Sequence, residues 1–331
     1  MPETDDLQVS VLITVYNHEK FIRQCLDSIV SQITDFKFEI VIGEDCSTDN
    51  TREIVIEYAN KYPDLIVPIL YEHNQGNKFC PGKGNFVNTF YACKGKYIVH
   101  IEGDDYLTDN QKLQLQYDYL NKNTEASACF HNATIIYDDR SFEPEEMNPI
   151  DQKIKIFPED LLKDKEVWFM ATASVMFRRQ LIPVKFPDWF LNCKSGDIPL
   201  YCILSHQGYI GYIPQTMCVY RKHAGGLSFT DIHQDETFIK NRIYMYQSIN
   251  EFTAFKYGKL IDNILAKYYL SMANSIQYGN NAIMRLWFTL KSLTLNNSPS
   301  IFETLKLYGI SPKNYEKYLN IRRFINKILK K

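Results

Sequence analysis

Three carboxylates stand almost side by side in the segment YIVHIEGDDYL, residues 97–107. Its apolar first half ends abruptly in Glu102, Gly103, Asp104 and Asp105. Like charges this close repel one another and raise each other's pKa, so a positive partner is expected nearby. Such carboxylates are hard oxygen ligands that suit Mg²⁺ or Mn²⁺ together with substrate phosphates. Taken alone, the segment fits a metal site and a solvated acidic turn equally well.

Two polar clusters follow earlier apolar runs. The first run ends in TVYNH, and the second ends in EDCSTDNT, which contains Asp45. Taken alone, Asp45 is better explained as a helix cap or an Asx turn than as a ligand contact. His18, in NHEKF, is more typical of a surface helix than of a metal site.

Two later motifs carry groups suited to acid–base or phosphate chemistry. SGDIPLY places Asp197 after a glycine and before an apolar helix, as either an N-cap or a general base held at a helix start. YRKHAGGLS places Arg221 and His223 two residues apart, so both side chains can leave a strand in the same direction. The motif is either a surface basic loop or a set of groups that offsets or ligates charge.

The elements that position these residues alternate between strands and helices over the first 125 residues. Strands are predicted over 9–16, 38–45, 65–72 and 96–102, and helices over 17–31 (with Asn17 as cap), 50–61, 84–93 and 110–123. This order predicts βαβ units and a mostly parallel sheet covered on both faces. Ligands bind at the carboxyl ends of such strands, where the three clusters fall.

The pattern changes after residue 125. Strands are predicted over 126–137 and 172–179, short helices over 157–164 and 196–208, and two strands with a glycine-containing loop over 209–228. From about residue 232 the sequence is almost wholly helical. We therefore predict one domain over 1–230, with a change of pattern near residue 125, followed by a helical region over 231–331.

Composition limits the classes of function. The 331 residues are 45% hydrophobic and 23% charged, and the net charge of −2 argues against nucleic-acid binding by the whole chain. No apolar signal region opens the sequence and no run could span a membrane, so a cytoplasmic protein is predicted. Residues 311–331 form a basic amphipathic pattern. It fits an ordinary terminal helix or a peripheral contact with the inner face of the plasma membrane, and the preceding helices could form a homodimer.

Together the motifs resemble one family. VSVLITVYNHEKFIRQCLDSIVSQ, EIVIGEDCSTDNT, GKYIVHIEGDDYL, SGD and YRKHAGGLS stand in the order seen in family 2 glycosyltransferases, over roughly residues 7–230. The resemblance implies a GT-A fold, α/β and Rossmann-like, with a mostly parallel central sheet flanked by helices. It also implies an inverting nucleotide-sugar transferase that uses Mn²⁺ or Mg²⁺.

The resemblance assigns roles residue by residue. Asp197 would be the catalytic base, and Asp104 and His223 the metal ligands, with Glu102 and Asp105 as further candidates. The nucleotide-sugar would contact Thr14, Val15, Tyr16, Asn17, Glu44, Asp45, Glu102, Gly103, Asp104 and Arg221. In three places the motif departs from the family pattern, because Glu44, Cys46 and Glu102 replace the commoner aspartate, glycine and aspartate.

The expected reaction moves a hexose or N-acetylhexosamine from a UDP-sugar to a hydroxyl of a glycan or lipid-linked acceptor, in bacterial surface polysaccharide or lipopolysaccharide synthesis. The resemblance divides the domain into a nucleotide-sugar half over 1–125 and an acceptor half over 126–230. The acceptor pocket is expected over 126–196, with Trp168 and Trp189, although core packing explains these two tryptophans equally well. Alternatives are a dTDP-deoxysugar transferase and an inactive nucleotide-sugar binding protein. A nucleotidyltransferase is a further alternative, but TVYNHEKF lacks the glycine-rich basic loop that such an enzyme usually has after its first strand.

Overall fold

A computed structural model describes residues 7–76, 80, 82–163, 169–226, 236–275 and 281–296. The chain forms two compact units, one of residues 1–161 and 166–231 and the other of residues 162–165 and 232–331. The first unit carries the sheet and every motif discussed above. The second is helical in its described part.

The first unit is built on a mixed sheet. Its strands are β1 Leu7–Val15, β2 Lys37–Glu44, β3 Ile66–Leu70, β4 Tyr97–Glu102, β5 Tyr106–Leu107, β6 Ala126–Tyr137, β7 Glu145–Glu146, β8 Lys155–Ile156, β9 Met176–Arg178 and β10 Tyr209–Lys222. They are ordered β3-β2-β1-β4-β9-β6-β10-β5, with β7 on β6 and β8 on β10. The pairings among β3, β2, β1 and β4 are all parallel, whereas β9 runs antiparallel to both of its neighbours.

Helices follow the strands as the sequence predicts. They are α1 Ile22–Val30, α2 Thr51–Lys61, α3 Lys83–Ala92, α4 Lys112–Lys122, α5 Pro158–Leu161, α6 Asp188–Leu191 and α7 Asp197–Gln207 in the first unit, and α8 Glu236–Phe252, α9 Gly258–Asn274 and α10 Ala282–Leu295 in the second. None of these helices in the described part of the chain has the length and apolar character that a bilayer crossing requires. The basic segment 311–331 lies outside the described residues.

The core contains strands that are buried on both faces and helices that bury one apolar face. Residues 9 to 13 of β1 are buried on both faces of the strand, as expected for a central parallel strand. The buried residues of α1, Ile22, Cys25, Leu26 and Ile29, recur at the helical spacing that makes one apolar face. The α/β fold predicted from the sequence is therefore confirmed.

Three local predictions were wrong. Helix α1 begins at Ile22 without a side-chain cap, and Asn17 instead has a left-handed φ of 55°. The two strands expected within 209–222 are one strand, whose register against β6 shifts between Ile213 and Cys218. Within 172–179 only β9 is extended, because residues 172–174 form a 3₁₀ turn.

Lys112 is the most unusual residue of the core. It is fully buried at the start of α4, and its Nζ has no hydrogen-bond partner among the described residues. Burial lowers the pKa of Lys112 to about 7, although the nearby Cys218 and Cys129 thiols act in the opposite direction. A buried cation without a partner destabilises the folded state.

We therefore expect Lys112→Met to raise the free energy of unfolding at pH 6, by about 1–3 kcal/mol. Between about pH 7 and 10.5 the Lys112 side chain is protonated in the unfolded chain but not in the folded chain. The free energy of unfolding of the wild type therefore gains with rising pH over this range. The variant should lack this gain. Urea denaturation at pH 6 and pH 9 measures both effects, and a less stable variant at pH 6 would contradict the argument.

Candidate functional site

The polar clusters meet at one edge of the sheet. Because β1 pairs in parallel with both β2 and β4, Val15 lies opposite Glu44 and Thr14 lies opposite Glu102. Strand β10 reaches the same edge through β5, where Val219 pairs with Tyr106. The strand ends that carry the three polar clusters therefore lie side by side, as the parallel order of the strands predicts.

Two histidines and an aspartate form the centre of this edge. One ligand atom from each of His18, Asp104 and His223 can be chosen so that all three lie within 4.8 Å of one another. Nε2 of His223 is 2.9 Å from Oδ2 of Asp104. Asp104 Oδ1 and His18 Nδ1 are buried and have no hydrogen-bond partner among the described residues. A divalent cation would satisfy both atoms, so the donor set fits a metal ion.

The protonation states favour the same role. Burial lowers the pKa of His18, and the nearby His223 lowers it further, whereas Asp104 acts in the opposite direction. Burial alone would raise the pKa of Asp104, but the hydrogen bond with His223 and the charges of both imidazoles hold it below its usual value. The site therefore offers a neutral imidazole and an ionised carboxylate, which are the forms that bind metals.

His18 is the residue that the sequence interpretation placed wrongly. It lies outside any helix, and its ring faces the acidic turn instead of solvent. A Cβ added at Gly103 would lie 2.9 Å from both His18 Nδ1 and Val15 Cγ2, so only glycine lets this turn approach the imidazole. The sequence signal was the spacing of His18 directly behind the first strand end.

The other two acids of the turn have different surroundings, and neither belongs to this cluster in the described part of the chain. Burial, together with the charges of Asp104 and Asp197, raises the pKa of Glu102 to about 8. Asp105 is buried, and burial followed by the charges of Asp104 and Glu102 raises its pKa well above the usual value. Its Oδ1 accepts a hydrogen bond of 2.9 Å from the backbone N–H of Arg221.

Arg221 holds the acidic turn in place. Its Nε donates to the carbonyl of Asp104 at 2.9 Å, and one terminal nitrogen donates to Gln24 at 2.8 Å. The guanidinium carbon also lies 4.8 Å from the centroid of the Phe21 ring. Arg221 thus supplies a permanent positive charge beside the carboxylates of this turn.

The end of β1 presents groups of different character. Tyr16 is 43% exposed, whereas Val15 is buried. Thr14 Oγ1 lies 3.0 Å from Nε2 of His100. Asn17 Oδ1 accepts from the backbone N–H of Thr48 at 2.8 Å, which ties this loop to the loop after β2. An exposed aromatic ring beside tied loops is suited to stacking on a planar base.

The end of β2 is an internally bonded loop. Glu44 is buried, pairs with Arg52, and accepts from the backbone N–H of Ser47 at 2.7 Å. Asp45 Oδ1 accepts from the N–H of Gln75 at 2.6 Å, and burial raises the pKa of Asp45. Cys46 has a φ of 60°, which costs a non-glycine residue about 1–2 kcal/mol. The glycine-like turn geometry therefore persists although cysteine replaces glycine.

Asp197 is the first residue of α7, so the cap position belongs to Gly196. Its Oδ1 accepts from the N–H of Ile198 at 2.7 Å and from the hydroxyl of Ser195. Burial raises the pKa of both Glu102 and Tyr201, and the charge of Asp197 raises both further, so this carboxylate interacts electrostatically with the end of β4. A carboxylate beside a candidate metal site can remove a proton from a bound hydroxyl.

The predicted acceptor segment is only partly described. Trp189 lies in the short helix α6, and its indole ring is 6.3 Å from the ring of Phe190. Trp168 lies outside the described residues.

Sequence comparisons identify relatives of this chain. A family model described as glycosyl transferase family 2 matches residues 10–183. An uncharacterised protein of Mycobacterium tuberculosis is 35% identical over 235 residues, which are 67% of this chain and 62% of that protein. An uncharacterised glycosyltransferase of Nostoc is 28% identical over 66% of this chain and 65% of its own length. The chain thus spans less than two thirds of these relatives.

Solved structures show the same fold. The structure of Staphylococcus aureus TarS, residues 1–349, in complex with UDP-GlcNAc has a TM-score of 0.58 at 16% identity, over 87% of this chain and 91% of that one. A mannosyltransferase of Pyrobaculum calidifontis in complex with GDP-Man and Mn²⁺ has a TM-score of 0.51 at 14% identity, over 96% and 84%. The family match covers more than half of the chain, and the fold is that of GT-A glycosyltransferases. The chain belongs to glycosyl transferase family 2.

Proposed function

We propose that this glycosyltransferase moves a hexose or N-acetylhexosamine from a UDP-sugar to a hydroxyl of a glycan or lipid-linked acceptor, with inversion at the anomeric carbon. The observation that carries the proposal is the cluster of His18, Asp104 and His223 beside Asp197, at the edge where the strands end. A TarS structure holds UDP-GlcNAc, which supports a uridine donor over the alternatives.

Four groups of residues have different roles in the proposed reaction. Thr14, Val15, Tyr16, Asn17, Glu44 and Asp45 form the pocket of the base and ribose. His18, Asp104 and His223 hold the divalent ion, which as a Lewis acid would stabilise the charge of the departing diphosphate. Arg221 and Gly103 keep the acidic turn in position, and Glu102 interacts electrostatically with both Asp104 and Asp197. Asp197 takes the proton of the attacking hydroxyl.

Two imidazoles and one carboxylate favour Mn²⁺ over Mg²⁺, because imidazole is a poor ligand for the harder ion. We assign donor binding to residues 1–125, acceptor binding to 126–230, and a contact with a membrane or a second copy to the helical region. The setting we propose is cytoplasmic synthesis of a bacterial surface glycan.

A screen of nucleotide-sugars with Mn²⁺, read as released nucleoside diphosphate, tests the proposal. We expect release from a UDP-hexose or UDP-N-acetylhexosamine, and none from GDP-mannose. For the variant Asp197→Asn the control is Asp118→Asn, since Asp118 is an exposed helical aspartate outside the predicted acceptor segment. Release from a dTDP-sugar alone would redirect the donor assignment, and binding of UDP without release from any donor and added glycan would contradict an active transferase.

A further inference from the structure

A buried lysine reaches the turn that carries the proposed base. Lys83 is the first residue of α3 and is 6% exposed. Its Nζ donates to the backbone carbonyl of Ser195 at 2.7 Å and lies 4.4 Å from the centroid of the Phe190 ring. The hydroxyl of Ser195 in turn donates to Asp197. One ammonium group therefore binds the turn from Ser195 to Asp197.

Glycines allow the Lys83 side chain and the turn from Ser195 to Asp197 to approach each other closely. Gly82 caps α3 with a left-handed φ of 71°. A Cβ at Gly84 would lie 2.2 Å from the carbonyl oxygen of Gln75, so this position cannot carry a side chain. A Cβ at Gly196 would lie 3.3 Å from Lys83 Nζ, tighter than an ordinary contact. The sequence GKG and the glycine of SGD thus fix the lysine and the turn against each other.

Folding alone does not explain this lysine. Burial lowers its pKa to about 8, although the nearby Cys193, Asp197 and Cys80 act in the opposite direction. A positive charge in the first turn of a helix also opposes the helix dipole. An apolar side chain of similar length would fill the same space without either penalty, so the cation has another role.

The charges around Asp197 indicate that role. Burial raises the pKa of Glu102, and the charges of Asp104 and Asp197 raise it further. Three acidic groups therefore interact at one edge of the sheet. The imidazoles of His18 and His223 lie on the Asp104 side of this group. Lys83 interacts electrostatically with Asp197.

We propose that Lys83 is a positioning residue for acceptor activation, which fixes the Ser195–Asp197 turn and supplies the positive charge that balances Asp197 beside Glu102. This inference rests on the proposed function. Lys83 touches neither donor nor acceptor in this role, and it acts through the turn.

Hydrogen exchange tests the structural half of the proposal. The N–H of Ile198 donates to Asp197, so its protection reports on the turn. We expect Lys83→Met to speed exchange in a peptide covering residues 195–200 at least fivefold. Lys112→Met, which also removes a buried lysine at a helix start, should leave this peptide unchanged. Equal exchange in wild type and Lys83→Met would overturn the proposal.

Turnover tests the functional half, with UDP-GlcNAc and Mn²⁺ as the assay and UDP release as the readout. We expect Lys83→Met to lower kcat at least tenfold while KM for UDP-GlcNAc changes less than threefold, and Lys83→Arg to recover most of the loss. In an Asp197→Asn background, Lys83→Met should add less than twofold. A full tenfold effect in that background would show that Lys83 does not act through Asp197.

The experiments distinguish an error in the proposed role of Asp197 from an error in the proposed role of Lys83. If Asp197→Asn turns over normally, the proposed role of Asp197 is wrong whatever Lys83 does. If Asp197→Asn is inactive while Lys83→Met has wild-type turnover and exchange, only the role of Lys83 is wrong.

Discussion

Asp197→Asn is expected to lower kcat for sugar transfer by about 10² to 10⁴, the range typical of a lost general base. The amide keeps the shape and one acceptor oxygen, so the bonds from Ile198 and Ser195 can persist and the fold should be retained. What is lost is the capacity to take a proton. Steady-state turnover with saturating donor and Mn²⁺ measures the effect.

Binding separates this loss from a damaged pocket. The affinity for UDP in the presence of Mn²⁺, measured by calorimetry, should change less than twofold in Asp197→Asn, because the base contacts the acceptor and not the nucleotide. The control Asp118→Asn should match wild type in both assays. Turnover above a tenth of the wild-type rate in Asp197→Asn would remove this carboxylate from the role of base.

The α/β scaffold was readable because its signals are local. Apolar runs of five to nine residues and helices with one apolar face have periods that a sequence displays directly. The boundaries of β6 were predicted without error, since ASACFHNATIIY is bounded on both sides by polar residues. The single long strand β10 was misread as two, because only pairing with β6 shows that its irregular middle continues the same strand.

The site was predictable only in part. Asp104, Asp197 and His223 stand in motifs whose order carries the family resemblance. His18 and Lys83 were missed because their roles depend on distant chain segments: His18 meets the turn after β4, and Lys83 meets a carbonyl 112 positions further along the chain. Asp105 looked equivalent to Asp104 in sequence, yet its carboxyl group faces the backbone of Arg221 instead of the histidines.

That difference between two neighbouring aspartates gives a sharp test of the metal site. Asp104→Asn should weaken Mn²⁺ binding at least tenfold, or about 1.4 kcal/mol, because the amide cannot supply the charge that holds the cation. Asp105→Asn should bind Mn²⁺ within about twofold of wild type, since the Asp105 carboxyl group faces the backbone N–H of Arg221 and is not one of the three residues of the metal cluster. Electron paramagnetic resonance of free Mn²⁺ measures both affinities without any donor or acceptor.

The histidines predict the pH dependence of the same binding. Imidazole must be neutral to ligate, so Mn²⁺ affinity should fall as pH falls below about 6.5 and protons compete with the ion for His18. Because burial already lowers the pKa of His18, this ring stays available at lower pH than an exposed histidine would.

His18→Ala should weaken Mn²⁺ binding more than Mg²⁺ binding, since the harder ion gains less from imidazole. Equal Mn²⁺ affinity in His18→Ala and wild type would leave a two-ligand site of Asp104 and His223, and equal affinity in Asp104→Asn would remove the metal from this edge of the sheet.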